Sequence, residues 1–75
     1  MKITPFGKLA DILEHKSVMV DHIFDTDGLR QVLELQFPQM LHVKYLIAVN
    51  RKIVMENTSI AEDSVIALLP PFSGG

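Results

Sequence analysis

The chain closes on Pro70-Pro71-Phe72-Ser73-Gly74-Gly75, and the backbone carboxylate of Gly75 is the group best placed to do chemistry. Two residues without a Cβ can thread a narrow channel and let a partner's backbone or a nucleotide approach closely. The proline pair favours an extended backbone, so the arm enters a pocket with little chain entropy left to lose. A carboxylate is a poor electrophile until one oxygen becomes a good leaving group, which adenylation by an ATP-using partner supplies. Sulfur replacing AMP would then give a thiocarboxylate, a sulfur nucleophile in a chain that contains no cysteine. The plainer alternative is a frayed chain end without a role, and a terminal Gly-Gly by itself does not distinguish the two.

Other chemistry finds less support. His15, His22 and His42 share no obvious face and do not stand at a zinc-ligand spacing with acidic partners, so no metal site is expected. Glu62 and Asp63 fall in a polar turn, which suits solvated charges better than acid-base work. The four glycines, Gly7, Gly28, Gly74 and Gly75, form no phosphate-cradling loop ahead of a helix. The absence of cysteine excludes a disulfide scaffold, a thiolate metal site and a cysteine nucleophile. No cofactor is expected on this chain and it is not expected to be an enzyme by itself.

The elements that must position the tail belong to a chain of 75 residues, 48% hydrophobic and 21% charged. That is enough for one core and too apolar for disorder. Seven basic against nine acidic side chains, net −2, argue against a nucleic-acid partner, which would need clustered Lys and Arg. No apolar run is long enough to cross a bilayer and no secretory pattern opens the chain, so a cytoplasmic location away from membranes is expected.

Residues 2–6 read as a short strand in which Pro5 is awkward, because proline cannot donate to a ladder. Gly7 breaks it, and Leu9, Ile12 and Leu13 recur at helical spacing. Residues 17–24 carry Val18, Val20, Ile23 and Phe24 and read as a second strand returning beside the first. Asp25 or Thr26 offers an N-cap to the main helix, whose stripe Leu29, Val32, Leu33 and Phe37 ends where Pro38 disfavours further turns. Burying that stripe is worth on the order of 6 to 12 kcal/mol before entropy is subtracted, so the helix requires a sheet to cover. Residues 45–49 and 53–55 flank the polar turn Asn50-Arg51-Lys52 as a hairpin, residues 56–59 are loop, and residues 65–69 form a final strand. The order ββ-α-β(β)-β predicts an α+β domain of β-grasp, ubiquitin-like type: a mixed sheet packed on one main helix over residues 1–69, followed by an extended, flexible tail over residues 70–75.

With these features the sequence resembles the family of ubiquitin-like sulfur carriers. Its Pro-Pro-x-x-Gly-Gly ending is similar to that of the small subunits of molybdopterin synthase, and thiamine-pathway carriers generally lack the proline pair. Ala48-Val49-Asn50, the helix start over residues 26–33 and Lys2-Ile3 are weaker matches. The resemblance implies that Gly75, preceded by Gly74, is adenylated by an enzyme similar to ubiquitin-activating enzymes and thiolated by a sulfurtransferase or other sulfur donor. It then donates sulfur to a pterin precursor inside the large subunit of a heterotetrameric synthase. ATP would be used by the activating partner. It further implies a partner-facing apolar patch of Phe6, Ile53 and Leu69, joined by Pro70, Pro71, Phe72 and Ser73 of the tail. From the residues alone, Phe6 and Leu69 suit a core equally well, whereas Ile53, after a polar turn, suits a surface. Arg51 stands where the family often has glycine. The competing readings are a thiamine-type carrier, a protein modifier conjugated to lysines through Gly75, and a passive β-grasp binding module whose tail is inert.

Threading makes a separable prediction. Gly74→Val should leave the melting temperature unchanged while abolishing sulfur transfer, and normal transfer by the folded variant would refute a tight channel.

Overall fold

The computed structural model describes residues 2–13 and 22–71. Its elements are β1 (Lys2–Pro5), α1 (Lys8–Leu13), α2 (Thr26–Gln36), a 3₁₀ helix (Pro38–His42), β2 (Leu46–Val49), β3 (Lys52–Val54) and β4 (Val65–Leu69). Among the described residues four strands form one mixed sheet in the order β1-β4-β2-β3, with β1 parallel to β4 and the other pairs antiparallel. One face of this sheet is covered by the helices, which gives the α+β, β-grasp architecture expected from the element order. Most of the expected second strand, residues 17–21, lies outside the described residues. Its end is not a strand: Ile23 and Phe24 are irregular, and the Phe24 carbonyl accepts from Ile60 N–H at 2.8 Å.

The main helix starts at the cap anticipated for it. Asp25 has extended backbone and its Oδ1 accepts from Gly28 N–H at 2.8 Å, satisfying one of the unpaired amides of the first turn. Asn57 on the β3–β4 connection donates its Nδ2 to Asp25 Oδ2 at 3.2 Å and accepts from Asp27 N–H at 2.9 Å. Thr26, buried, accepts from Thr58 N–H through Oγ1 and donates its own N–H to the Thr58 carbonyl, both at 2.9 Å. The helix start is therefore tied across roughly thirty positions of sequence, something no local pattern could specify. At the other end Phe37 leaves helical geometry, as the following proline demands, and the chain continues as a 3₁₀ helix that the sequence pattern did not announce.

Leu29, Leu33 and Phe37 are buried in one cluster with Leu9 and Leu13 of α1, Met40 of the 3₁₀ helix, Tyr45 just before β2, Ile47 and Val49 of β2, and Ile66 and Leu68 of β4, while Val32 is half-buried. For a chain of this length total stability is on the order of 4 to 11 kcal/mol. Truncating one such leucine to alanine typically costs about 2 to 5 kcal/mol, so each of these contacts is a large share of the whole.

Two residues that looked out of place are explained by hydrogen-bond phase and turn geometry. Lys2 N–H donates to the carbonyl of Ser64, just before β4, and Phe6 N–H to that of Leu68 within it, so even-numbered amides along β1 face β4 and odd-numbered ones face away. Pro5 has an odd phase, and its missing N–H removes nothing from the β1–β4 ladder. At the β2–β3 hairpin, Asn50 and Arg51 both have positive φ, 50° and 72°, and Val49 pairs with Lys52 across a two-residue loop. This is the geometry of a type I′ turn, the one Asn-Gly favours, so Arg51 in the place of that glycine leaves the turn type unchanged. It occupies a strained left-handed conformation instead.

The cap has a pH signature. The Gly28 amide and then the Asn57 side chain hold the Asp25 carboxyl below its ordinary range. A carboxyl whose value is lower folded than unfolded contributes stability that is present above about pH 4 and is lost as pH falls through the lowered folded value. Asp25→Asn should therefore be less stable than wild type at pH 7 in urea unfolding, with the gap closing below about pH 4. A gap independent of pH would refute the charge-based account.

Candidate functional site

Strand β4 carries the chain to the tail, and the alternation of its side chains divides the sheet into two faces. Ile66 and Leu68 are fully buried beneath the helices, so Val65, Ala67 and Leu69 point the other way. The pairings extend this outward face across all four strands. Ala67 lies between Thr4 of β1 and Ala48 of β2, and Ala48 pairs in turn with Ile53 of β3. Leu69 pairs with Leu46, and continuing the register sets Phe6 and Met55 at the two ends of that row.

The three patch positions named from the sequence thus share one face. Phe6 is 46% exposed and Ile53 44% exposed, and Leu69 is half-buried between them. The alternative of Phe6 and Leu69 as core residues does not hold, because the core face of their strands is occupied by Ile66, Leu68 and their neighbours. Val65 and Met55, the latter 80% exposed, enlarge the same apolar surface and were missed from the sequence. Their signal was present in the two-residue period of β4 and in the register of the hairpin, but only the strand order reveals that they adjoin Phe6 and Leu69. The helices contribute no cover here, since the buried residues of α1, α2 and the 3₁₀ helix belong to the core on the opposite face.

The root of the tail is itself positioned. Pro70 and Pro71 are exposed beyond the last β4 residue. Gly7, in the turn between β1 and α1, has φ +60°, and a Cβ built there would stand 3.3 Å from Pro70 Cγ. The sequence marked Gly7 only as a break. Its second role is to let the turn lie against the first tail proline. On the other side Pro71 borders a groove with Arg30, Lys44, Tyr45 and Leu46. There the Arg30 guanidinium lies 4.9 Å from the centre of the Tyr45 ring, and the Tyr45 hydroxyl donates to Glu34 Oε2 at 2.9 Å. Burial, reinforced by that hydrogen bond, pushes the Tyr45 hydroxyl above its ordinary range, so it stays protonated and structural.

Phe72, Ser73, Gly74 and Gly75 lie outside the described residues, as does His15. Among the described residues no three His, Cys, Asp or Glu side chains converge as metal ligands. Among them too, no helix is long and apolar enough to cross a membrane. The chemistry this arrangement supports lies beyond the strand: an apolar platform ending in a proline-led arm.

The sequence matches the model of the ThiS family over residues 3–75, which takes in every strand but the first residue of β1, both helices and the whole tail.

Gly7 provides a direct check on the tail root. Gly7→Val should destabilise the domain by about 1 to 2 kcal/mol, through the left-handed backbone penalty and the contact with Pro70. Gly7→Asn, which tolerates that conformation, should cost less, and equal losses in chemical denaturation would show that the backbone conformation is not the cause.

Proposed function

Because the chain belongs to the ThiS family of ubiquitin-like sulfur carriers, we propose that it carries sulfur on Gly75 for molybdopterin synthesis, as the small subunit of the synthase. One observation carries this reading. The strand that anchors the core, β4, runs directly into Pro70-Pro71 and the Gly-Gly end, while its outward residues stand in an apolar face at the root of the arm. A partner seated on that face would hold the tail aligned with its own active site. The proline pair favours molybdopterin over thiamine-type synthesis, on the resemblance of the ending alone.

The chemistry follows from the terminal carboxylate. In the activating enzyme a carboxylate oxygen of Gly75 attacks the α-phosphorus of ATP and pyrophosphate leaves. A sulfide-level donor then attacks the acyl carbon, AMP departs with the bonding electron pair, and Gly75 ends as a thiocarboxylate. In the large subunit its sulfur displaces an oxygen leaving group from a carbon of the pterin precursor, hydrolysis of the resulting thioester returns the carboxylate and leaves that sulfur on the pterin, and a second thiocarboxylate supplies the other sulfur of the dithiolene. This chain contributes the reacting terminus, the arm and the platform; the partners contribute ATP, the catalytic groups and the sulfur source. On this reading residues 1–69 are the handle and residues 70–75 the working part, and the chain is a donor subunit without catalytic groups of its own.

Intact-mass measurement tests the proposal. After incubation with ATP, a sulfur source and cell extract, one oxygen should be replaced by sulfur, and deletion of Gly75 should prevent it. Addition of a molybdopterin synthase large subunit and the pterin precursor should then return the original mass and yield the dithiolene product. No mass gain in an extract that thiolates a known carrier would overturn sulfur carriage. Mass gain without transfer to the pterin would leave a carrier for a different acceptor, and protein adducts removed by mutating Gly75 would establish a conjugated modifier.

A further inference from the structure

The groove beside Pro71 differs in charge from the chain as a whole. In a protein of net charge −2 it gathers two cations, Arg30 and Lys44, against one carboxylate, Glu34, whose Oε2 already accepts from the Tyr45 hydroxyl. The Arg30 guanidinium is held over the Tyr45 ring, and Lys44 is exposed. The remaining lining is largely apolar, with Leu41 63% exposed and Val43 packed partly buried against the core. An open groove of about 420 Å³ with aliphatic walls and excess positive charge suits a large apolar side chain that has a carboxylate nearby.

The chain's own end supplies that combination. Leu46 pairs with Leu69, so continuing the antiparallel register sets Lys44 across from Pro71 and Val43 across from Phe72. Val43 has the extended backbone that such a continuation needs, φ −125° and ψ 149°. Phe72 would share the even phase of Ile66 and Leu68, which are buried on the helix side, where Arg30 of α2 and Leu41 of the 3₁₀ helix border the groove. The terminal carboxylate is three residues further on, at most about 10 Å away. The prolines keep this hold loose. Asn50 N–H donates to the Val65 carbonyl at 2.8 Å, so residues 50 and 65 form a hydrogen-bonded pair and, by alternation, 44 and 71 would form another. Pro71 has no N–H to give to Lys44, which prevents the tail from zipping onto β2 and leaves it to one side chain and one charge.

We propose that this groove is a resting site for the chain's own tail, with Phe72 seated beside Leu41 and Val43 and the Gly75 carboxylate drawn to Arg30 and Lys44 in the free protein. The choice of occupant follows from where the described chain ends: Pro71, four residues from the terminus, already stands at the edge of the groove. The consequence for activity rests on the sulfur-carrier reading. Only carrier molecules with a lifted tail are competent for activation, so the apparent affinity of the activating protein is reduced by the fraction that is free.

The experiment uses the full-length chain alone in solution at low salt, read by amide nitrogen relaxation and amide chemical shifts. Gly74 should have an order parameter above about 0.6 in wild type and below it in Leu41→Asp, which removes the apolar seat and repels the carboxylate at an exposed position. Lys44→Glu should lower it as well. Phe72→Ala should shift the amides of Leu41, Val43 and Lys44 and leave those of Ile53 and Asn57 in place. A wild-type Gly74 order parameter below about 0.6 would overturn the proposal, and so would groove amides that ignore Phe72→Ala. Groove shifts that grow with protein concentration would assign the site to a second copy and overturn it too. In the extract thiolation assay Leu41→Asp should lower the apparent KM about twofold or more at an unchanged maximal rate, and an unchanged KM would overturn the requirement that the tail be lifted. Should wild type not be thiolated at all, the sulfur-carrier reading fails separately, and the relaxation data still decide the resting site.

Discussion

The phase of one strand governs the rest of this molecule. Ile66 and Leu68 are sealed beneath the helices, and that burial determines which way every other residue of β4 points. A slip of one residue would exchange the two faces, expose both side chains to water and bury Val65, Ala67 and Leu69 in a space shaped for different residues. With β1 parallel on one side and β2 antiparallel on the other, the same phase propagates across the sheet. It aligns Phe6, Leu69, Leu46, Ala48 and Ile53 on the outward face and aims the end of the strand at the tail. Core packing and the exposed apolar face are thus two consequences of one alternation.

On the proposed reading, this arrangement suits a protein whose reactive atom belongs to the main chain. A side-chain nucleophile needs a local environment to tune it, and the domain would have to supply that environment. A terminal carboxylate activated elsewhere needs only to be delivered. The side chains of the described domain are spent on holding the delivery strand in place and on a surface of defined shape. Asn57 and Thr58 brace the helix start, Tyr45 and Glu34 brace the underside near Pro71, and Gly7 yields room for Pro70.

Some of the fold could be read directly because its signals are local. The α2 stripe, its acidic cap, the hairpin around Asn50 and the final strand each depend on neighbours within a few residues, and the structure places them within a residue or two of where the pattern put them. Pro5 and Arg51 were harder because each breaks a statistical preference that depends on context. Pro5 is harmless only because odd-numbered amides of β1 point away from β4, and Arg51 is tolerated because the paired strands hold the turn in spite of its backbone cost. The 3₁₀ helix after Pro38 had no periodic signature, being too short to show one.

By itself the amino-acid sequence determined the class of the domain, the absence of any thiol chemistry and the terminal Gly-Gly behind its proline pair, because these are properties of composition, local periodicity and chain order. The tertiary structure alone decided that Phe6 and Leu69 belong to the surface and that Met55 and Val65 adjoin them. Those facts depend on strand order and register, which join residues about sixty positions apart through backbone hydrogen bonds, and a linear pattern does not encode which strands become neighbours.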